Sequence, residues 1–159
     1  ILQRYILVLI CPALTFESCL AADRTILEEL TKRGFLQGDV AEMVAHHVGA
    51  LFMPHGVGHF LGLDTHDVGG YLFRLRTRRI LAPGMVFTIE PGCYFIESLL
   101  LPAFQDESVS RFLNEEKLRR FIGTGGVRLE DNIIVTEDGL FNMTSGPQSV
   151  EEIEAFMSS

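Results

Sequence analysis

Three of the chain's five histidines, His55, His59 and His66, fall within twelve positions. They lie in Pro54-His55-Gly56-Val57-Gly58-His59-Phe60-Leu61-Gly62, with His66-Asp67 just beyond. Imidazole can ligate a divalent metal or move a proton near neutral pH. His55 and His59 have the i, i+4 spacing of paired zinc ligands on a helix. That arrangement needs Glu directly after the first His, and Gly56 stands there. Gly56 and Gly58 also oppose a helix. The segment therefore reads as a tight strand or loop, whose glycines let the backbone come close to a ligand or a neighbouring strand.

Two carboxylates add to this cluster. Glu90 ends an otherwise apolar run, Phe87-Thr88-Ile89-Glu90-Pro91-Gly92, and Glu130 ends Gly126-Val127-Arg128-Leu129-Glu130. A carboxylate on a buried strand is costly unless it is paired or bound to a metal. One imidazole and two carboxylates from strand-like segments suit a borderline or hard divalent ion such as Mn, Co or Zn. They are too few to hold two ions well. Taken singly, each residue also has an ordinary structural reading. His55, His59 and His66 can be hydrogen-bonded structural histidines. Glu90 can be a solvated strand end, and Glu130 can pair with a nearby Arg.

The elements that must position these groups follow from periodicity. Ile26, Leu27 and Leu30 mark one face of a helix over Asp23 to Arg33, with Gly34 as its stop. Asp39 and Glu42 have capping-box spacing, opening a second helix with Val40, Met43, Val44 and Val48 inward. Met85 to Glu90 alternates as a strand, with Val86, Thr88 and Glu90 on one face and Phe87 and Ile89 on the other. Pro91-Gly92 breaks it and Tyr94-Phe95-Ile96 resumes. Ser108 to Phe121 reads as one helix ended by Gly123, Gly125 and Gly126. Val127 to Val135 reads as a strand region bulged at Asp131-Asn132. Glu137-Asp138-Gly139 makes a hairpin turn, with Leu140 to Met143 returning. Ser149 to Glu152 caps a terminal helix. Helices first, then strands that pair with neighbours, predict an α+β fold.

The 159 residues fit a single domain, 1–159. Hydrophobic residues make up 47% and charged residues 21%, which excludes wholesale disorder. A net charge of −8 disfavours nucleic acid as a partner. Cys11, Cys19 and Cys93 are odd in number and form no Cys-x-x-Cys pair, so neither a disulfide framework nor a thiolate zinc site is expected. That pattern suits a reducing compartment, and a cytoplasmic location is expected. Residues 1–22 are an uncertain apolar start. Arg4, the run Tyr5 to Cys11 and the small pair Ala21-Ala22 mimic a secretory signal. The run is too short to span a membrane, which takes about 20 apolar residues. A buried element of the domain is the preferred reading, and a secreted form is the lesser alternative.

Phe52-Met53 continuing into the His-Gly segment through Gly62, with His66-Asp67-Val68-Gly69-Gly70-Tyr71, resembles prolidase, the Xaa-Pro dipeptidase family. So do Pro83-Gly84-Met85-Val86-Phe87-Thr88-Ile89-Glu90-Pro91-Gly92 and Gly125-Gly126-Val127-Arg128-Leu129-Glu130-Asp131. The likeness runs from about Pro12 to the end of the chain. It implies the C-terminal part of a pita-bread metallopeptidase catalytic domain. It also implies two divalent ions, Mn in the first place and Co or Zn as alternatives, held by two Asp, one His and two Glu. His59 matches the ligand His. Glu90 matches a ligand Glu that is also the general base toward a metal-bridging water, and Glu130 matches the bridging Glu. His66 matches a His that contacts the scissile peptide and stabilises the transition state, and His55 a second pocket His. Arg76 matches the Arg that holds the substrate carboxylate, and Arg128 an Arg beside the bridging Glu. The implied substrate is an Xaa-Pro dipeptide, whose tertiary amide has no N–H to grip but whose carboxylate can be fixed by Arg. A homodimer is compatible with the resemblance.

The sequence departs from this pattern in two places. The family's paired ligand Asp lie upstream of the His at a fixed spacing. The Asp here are Asp23, Asp39, Asp64, Asp67, Asp106, Asp131 and Asp138, and no two have it. The loop after Tyr71 is also shorter, which leaves the placement of Arg76 open. With Ile1 in place of an initiator Met, the chain is expected to be a fragment or splice form of a longer enzyme rather than a true short protein. Two functions stand side by side: a metal-dependent dipeptidase seen in part, or a non-catalytic interaction module with a vestigial pocket.

Overall fold

The computed structural model describes residues 16–67 and 81–159. The apolar start as far as Thr15, and the segment with Val68, Gly69, Gly70, Tyr71 and Arg76, lie outside the described residues.

Helix α1 spans Phe16–Lys32, starting earlier than the apolar period suggested. Ala22, Ile26, Leu27 and Leu30 are its buried stripe. Its end is a glycine cap. Gly34, at φ 71, lets its own N–H reach Thr31 O at 2.9 Å and the N–H of Phe35 reach Leu30 O at 2.9 Å. Asp39 caps α2 (Val40–Ala45) by accepting from Glu42 N, and Met43 is its buried residue. His47, in the left-handed region at φ 54, turns the chain into a short 3₁₀ turn over Val48–Leu51. Val48 is buried as expected, but in this turn rather than on α2.

Strand β1 (Val86–Ile89) lies in a three-stranded antiparallel sheet of order β1–β4–β5, with β4 at Asp131–Thr136 and β5 at Gly139–Asn142. The β4–β5 turn falls at Glu137-Asp138, as the sequence suggested. Strands β2 (Gly92–Tyr94) and β3 (Gly126–Arg128) form a separate antiparallel pair. The single strand expected from Val127 to Val135 is therefore two, parted at Leu129-Glu130, with no bulge at Asp131-Asn132. The partners nevertheless keep one register. Ile89 faces Asp131, Gly92 faces Arg128, and Leu129 N donates to Pro91 O at 3.3 Å across the gap.

The helix expected over Ser108 to Phe121 is also divided, into α4 (Glu107–Ser110) and α5 (Glu115–Arg119). Asp106 and Asn114 cap the two pieces, accepting from Ser108 N and Lys117 N. Between them the chain turns inward. Gln37 N donates to Phe112 O and Asn114 N to Phe35 O, both at 2.9 Å, and Phe112 and Leu113 are buried. Two tertiary hydrogen bonds and two buried side chains outweigh the helical continuity that periodicity suggested. Helix α3 (Glu97–Ala103) carries Pro102 inside it, which hid it from the sequence reading. The terminal α6 (Val150–Met157) starts in a complete capping box at Ser149 and Glu152 and has no buried residue. Helices and antiparallel strands share one hydrophobic core, in which α1 packs with Phe52, Phe87, Ile89, Leu100 and Ile133. The α+β expectation holds.

Candidate active site

The His-Gly segment runs antiparallel along the free edge of β1. Leu61 N donates to Val86 O at 3.0 Å, Thr88 N to His59 O at 2.8 Å, and Glu90 N to Val57 O at 2.8 Å. A Cβ at Gly58 would collide with the carbonyl of Thr88, so only glycine allows this approach. The register places His59 level with Thr88. Because strand side chains alternate, His59 shares the face that carries Thr88 and Glu90. On the other edge of β1 the continuous register sets Glu130 opposite Glu90, with Arg128 opposite Gly92 on the same face.

At the centre of this face, His59 Nε2 lies 3.2 Å from Glu90 Oε1. Glu90 is 8% exposed. Its Oε1 accepts from the hydroxyl of Thr88 at 3.1 Å, and its Oε2 accepts from Arg128 Nη1 at 3.0 Å. Thr88 Oγ1 in turn accepts from His59 N at 3.0 Å. His59 Nδ1 is 3.0 Å from Phe60 O. A carbonyl only accepts, so Nδ1 carries the proton of this bond. In the neutral ring Nε2 then presents a lone pair to a carboxylate oxygen. Two acceptors at this distance need a proton or a cation between them.

Tyr94 joins the remaining groups. Its hydroxyl accepts from Arg128 Nε at 2.6 Å and lies 3.1 Å from His55 Nε2. His55 Nδ1 is 2.6 Å from Gly56 O and must donate to it, so Nε2 accepts from the Tyr94 hydroxyl. Arg128, Tyr94, His55 and Gly56 O thus form one directed chain of hydrogen bonds. The Tyr94 phenol, ahead of the Glu90 and Glu130 charges, holds the Arg128 pKa above its ordinary value. His66 is exposed, and its ring stands edge-on to that of His59 with centroids 4.4 Å apart.

The structure thus brings together His59, Glu90, Arg128 and, through Tyr94, His55, with His66 alongside. Glu130 is opposite Glu90 in register but exposed. Arg76 lies outside the described residues. Tyr94 and Thr88 were not singled out from the sequence as site residues. The period-2 face through Thr88 and Glu90, extended to Tyr94, carries the signal that would have found both.

The pair tests well as two donors to one ion. Ligands about 2.0–2.2 Å from a metal are about 3.0–3.4 Å from one another, and His59 Nε2 and Glu90 Oε1 have that separation. A bond from Nδ1 to a backbone carbonyl is also the usual way a ligating His is oriented. No group of three or more His, Cys, Asp and Glu is gathered for a metal among the described residues. The residues fit part of a metal centre and do not complete one.

Metallopeptidase family M24 matches residues 12–137 of the chain. The chain belongs to this family. Human Xaa-Pro dipeptidase is 54% identical over 147 residues, which is 86% of this chain and 30% of the relative. The chain therefore spans under a third of the length of the curated relatives it matches. Among solved structures, a His-to-Ala variant of Escherichia coli aminopeptidase P aligns with 99% of this chain and 32% of its own, at 37% identity and TM-score 0.73. A zinc-substituted Escherichia coli aminopeptidase P in complex with product aligns with 89% of this chain and 28% of its own, at 40% identity and TM-score 0.66. The α+β elements are thus a portion of the pita-bread fold of these peptidases. No helix among the described residues is long and apolar enough to cross a membrane.

Proposed function

We propose that this chain carries the His-Glu-Glu portion of the metal centre of an Xaa-Pro dipeptidase, and that hydrolysis of Xaa-Pro dipeptides is the activity the site serves. The observation that carries the reading is the 3.2 Å approach of His59 Nε2 to Glu90 Oε1 on one face with Arg128 and Glu130. His59, Glu90 and Glu130 are the metal-holding residues in this proposal, with Mn as the ion. Divalent ions bound there would supply Lewis-acid polarisation of the peptide carbonyl and a nucleophilic water at neutral pH. The chain's own groups do the positioning. Phe60 O fixes the ring of His59 through Nδ1. Thr88 and Arg128 hold the two oxygens of Glu90 at a set orientation, from which Oε1 can take a proton as general base. His66, exposed beside His59, is assigned the contact with the scissile peptide. His55, Arg128 and Arg76 are assigned to binding the substrate.

A cytoplasmic setting and a homodimer belong to the same proposal. The odd cysteine count supports the first. Burial pushes the Cys93 thiol up to about 11, so it is an inert thiol at neutral pH.

A second reading, a non-catalytic interaction module with a vestigial pocket, is favoured by one observation: no third ligand is gathered among the described residues. The deciding experiment is an assay of the purified chain for Gly-Pro hydrolysis with added Mn²⁺, with Glu130→Gln and His59→Ala as blanks. Mn²⁺-dependent turnover lost in both variants supports the dipeptidase. Turnover equal in all three proteins refutes it. A demonstrably folded chain without turnover supports the interaction module.

A further inference from the structure

Most of the large hydrophobic side chains exposed among the described residues lie in residues 140–157. Helix α6 carries Val150, Ile153, Phe156 and Met157, with Phe156 68% and Met157 77% exposed. At helical spacing these four form one stripe. The rest of the helix is Glu151, Glu152, Glu154 and Ala155, and from Glu137 to Ser159 there is no Lys, Arg or His. The helix is held ready at its base. A complete capping box starts it. Just before it, Gln148 Nε2 donates to Asp131 Oδ1 at 2.7 Å, and Thr144 Oγ1 accepts from Asn132 N at 2.9 Å, which ties the approach to β4. An exposed apolar stripe of this kind marks an interaction surface. Its acidic flanks repel other acidic surfaces, a second α6 included, and call for an apolar floor with a basic rim.

The same chain has such a surface beside α5. A cavity of about 300 Å³ is lined by Asn114, Glu116, Lys117, Arg120 and Phe121. Phe121 is its apolar wall, partly exposed and edge-on to Phe35 with centroids 4.8 Å apart. Lys117 lies over the Phe35 ring and donates to Arg33 O, and among the described residues no carboxylate pairs with it. Arg120 pairs with Glu116 but keeps its side chain 69% exposed. Positive charge therefore exceeds negative at this rim, in a chain of net charge −8. The space exceeds the volume of one aromatic side chain, and Arg120 stands where it can contact the face of a bound ring.

We propose that α6 of one copy docks in the α5 cavity of a second copy. Phe156 enters beside Phe121, the α6 glutamates face Lys117 and Arg120, and reciprocal exchange of the two helices closes a two-fold dimer. This deepens the homodimer proposed above by naming its surfaces. Two contacts of one short helix each are small against a standard interface. The dimer is accordingly weak, and at low micromolar concentration the chain is monomeric with α6 undocked.

The test is analytical ultracentrifugation of the 159-residue chain from low micromolar to several hundred micromolar, with circular dichroism to show that each variant is folded. Wild type forms a dimer at the upper end, and high salt weakens it. Phe156→Ser and Arg120→Glu, both at exposed positions, each raise the dimer Kd about tenfold or more. Mixing the two variants restores part of the association, because the mixed pair keeps one intact helix and one intact cavity. Neither variant has an intact contact with its own kind. An α6–α6 contact or general apolar adhesion gives no such gain on mixing. A wild-type dimer that neither variant weakens leaves the homodimer standing and overturns the docking. So does weakening by Phe156→Ser alone, or two weakened variants that gain nothing on mixing. Aggregation without a defined dimer overturns the docking as well. A wild-type chain that stays monomeric throughout overturns both readings.

Discussion

Replacing Thr88 with Val is the most informative single perturbation of this structure. Thr88 is fully buried, and its hydroxyl both accepts from His59 N and donates to Glu90 Oε1. Val keeps the shape and removes both bonds. The His59 amide, left without this partner, costs about 1–3 kcal/mol. The lost bond to a charged carboxylate costs about 1.5–3 kcal/mol. The added methyl returns roughly 1 kcal/mol of apolar burial. The net loss is then about 3 kcal/mol, and at about 2–4 °C per kcal/mol for a chain of this size it lowers Tm by about 6–12 °C. Thr88→Ser keeps the hydroxyl and loses only a methyl, at about 1 kcal/mol. Urea denaturation of the three proteins, with unchanged m values, gives the comparison. A Val variant within about 0.5 kcal/mol of wild type, or a Ser variant as unstable as the Val variant, would refute the argument that the hydroxyl ties the His-Gly segment to β1.

Two further outcomes are expected. Asp23 is half-buried against Gly49, and burial, partly offset by His47, raises its pKa. The folded state then binds the proton more tightly than the unfolded one, so this residue's contribution falls as pH rises from the ordinary carboxyl pKa through the raised folded value. Asp23→Asn should therefore raise Tm at pH 7 and lose that advantage below the ordinary carboxyl range, and a variant less stable at pH 7 would contradict it. Ser149→Ala removes the Oγ that accepts from Glu152 N at 3.1 Å, a loss of about 1 kcal/mol. Because α6 buries no residue, amide exchange over Val150–Met157 should quicken about fivefold while the global denaturation midpoint stays put; a matching fall in global stability would mean that α6 is docked.

Signals that depend on a few neighbouring residues were legible in the sequence. Gly34 ends α1, Asp39 and Ser149 cap their helices, and Glu137-Asp138 turns the β4–β5 hairpin, because each is a contact of a residue with its own near neighbours. Elements whose boundaries are set by distant packing were not. Ser108 to Phe121 has a continuous helical pattern, yet Phe112 and Asn114 hydrogen-bond to Gln37 and Phe35, with Leu113 bridged to Leu36, and interrupt it. Glu97–Ala103 is helical in spite of Pro102. Val127 to Val135 reads as one strand and is split at Leu129-Glu130.

The site divides in the same way. The residue types at His59, Glu90 and Glu130, and the alternation that puts Thr88 and Glu90 on one face, follow from the sequence alone, since strand alternation is local geometry. Which segments lie side by side is not local. The hydrogen bonds of Val57 to Leu61 with β1 bring His59 to Glu90, and the shared β1–β4 and β2–β3 register brings Arg128 to the other oxygen of Glu90 and Glu130 to the opposite strand. Tyr94 gains its meaning only there, between an arginine and a histidine far from it in the chain. The sequence by itself determined the family, the residue types of the candidate site and the face that Thr88 shares with Glu90. The tertiary structure alone decided that His59 meets Glu90 and that Arg128 stands beside them, because register is set by hydrogen bonds between segments that no short-range pattern connects.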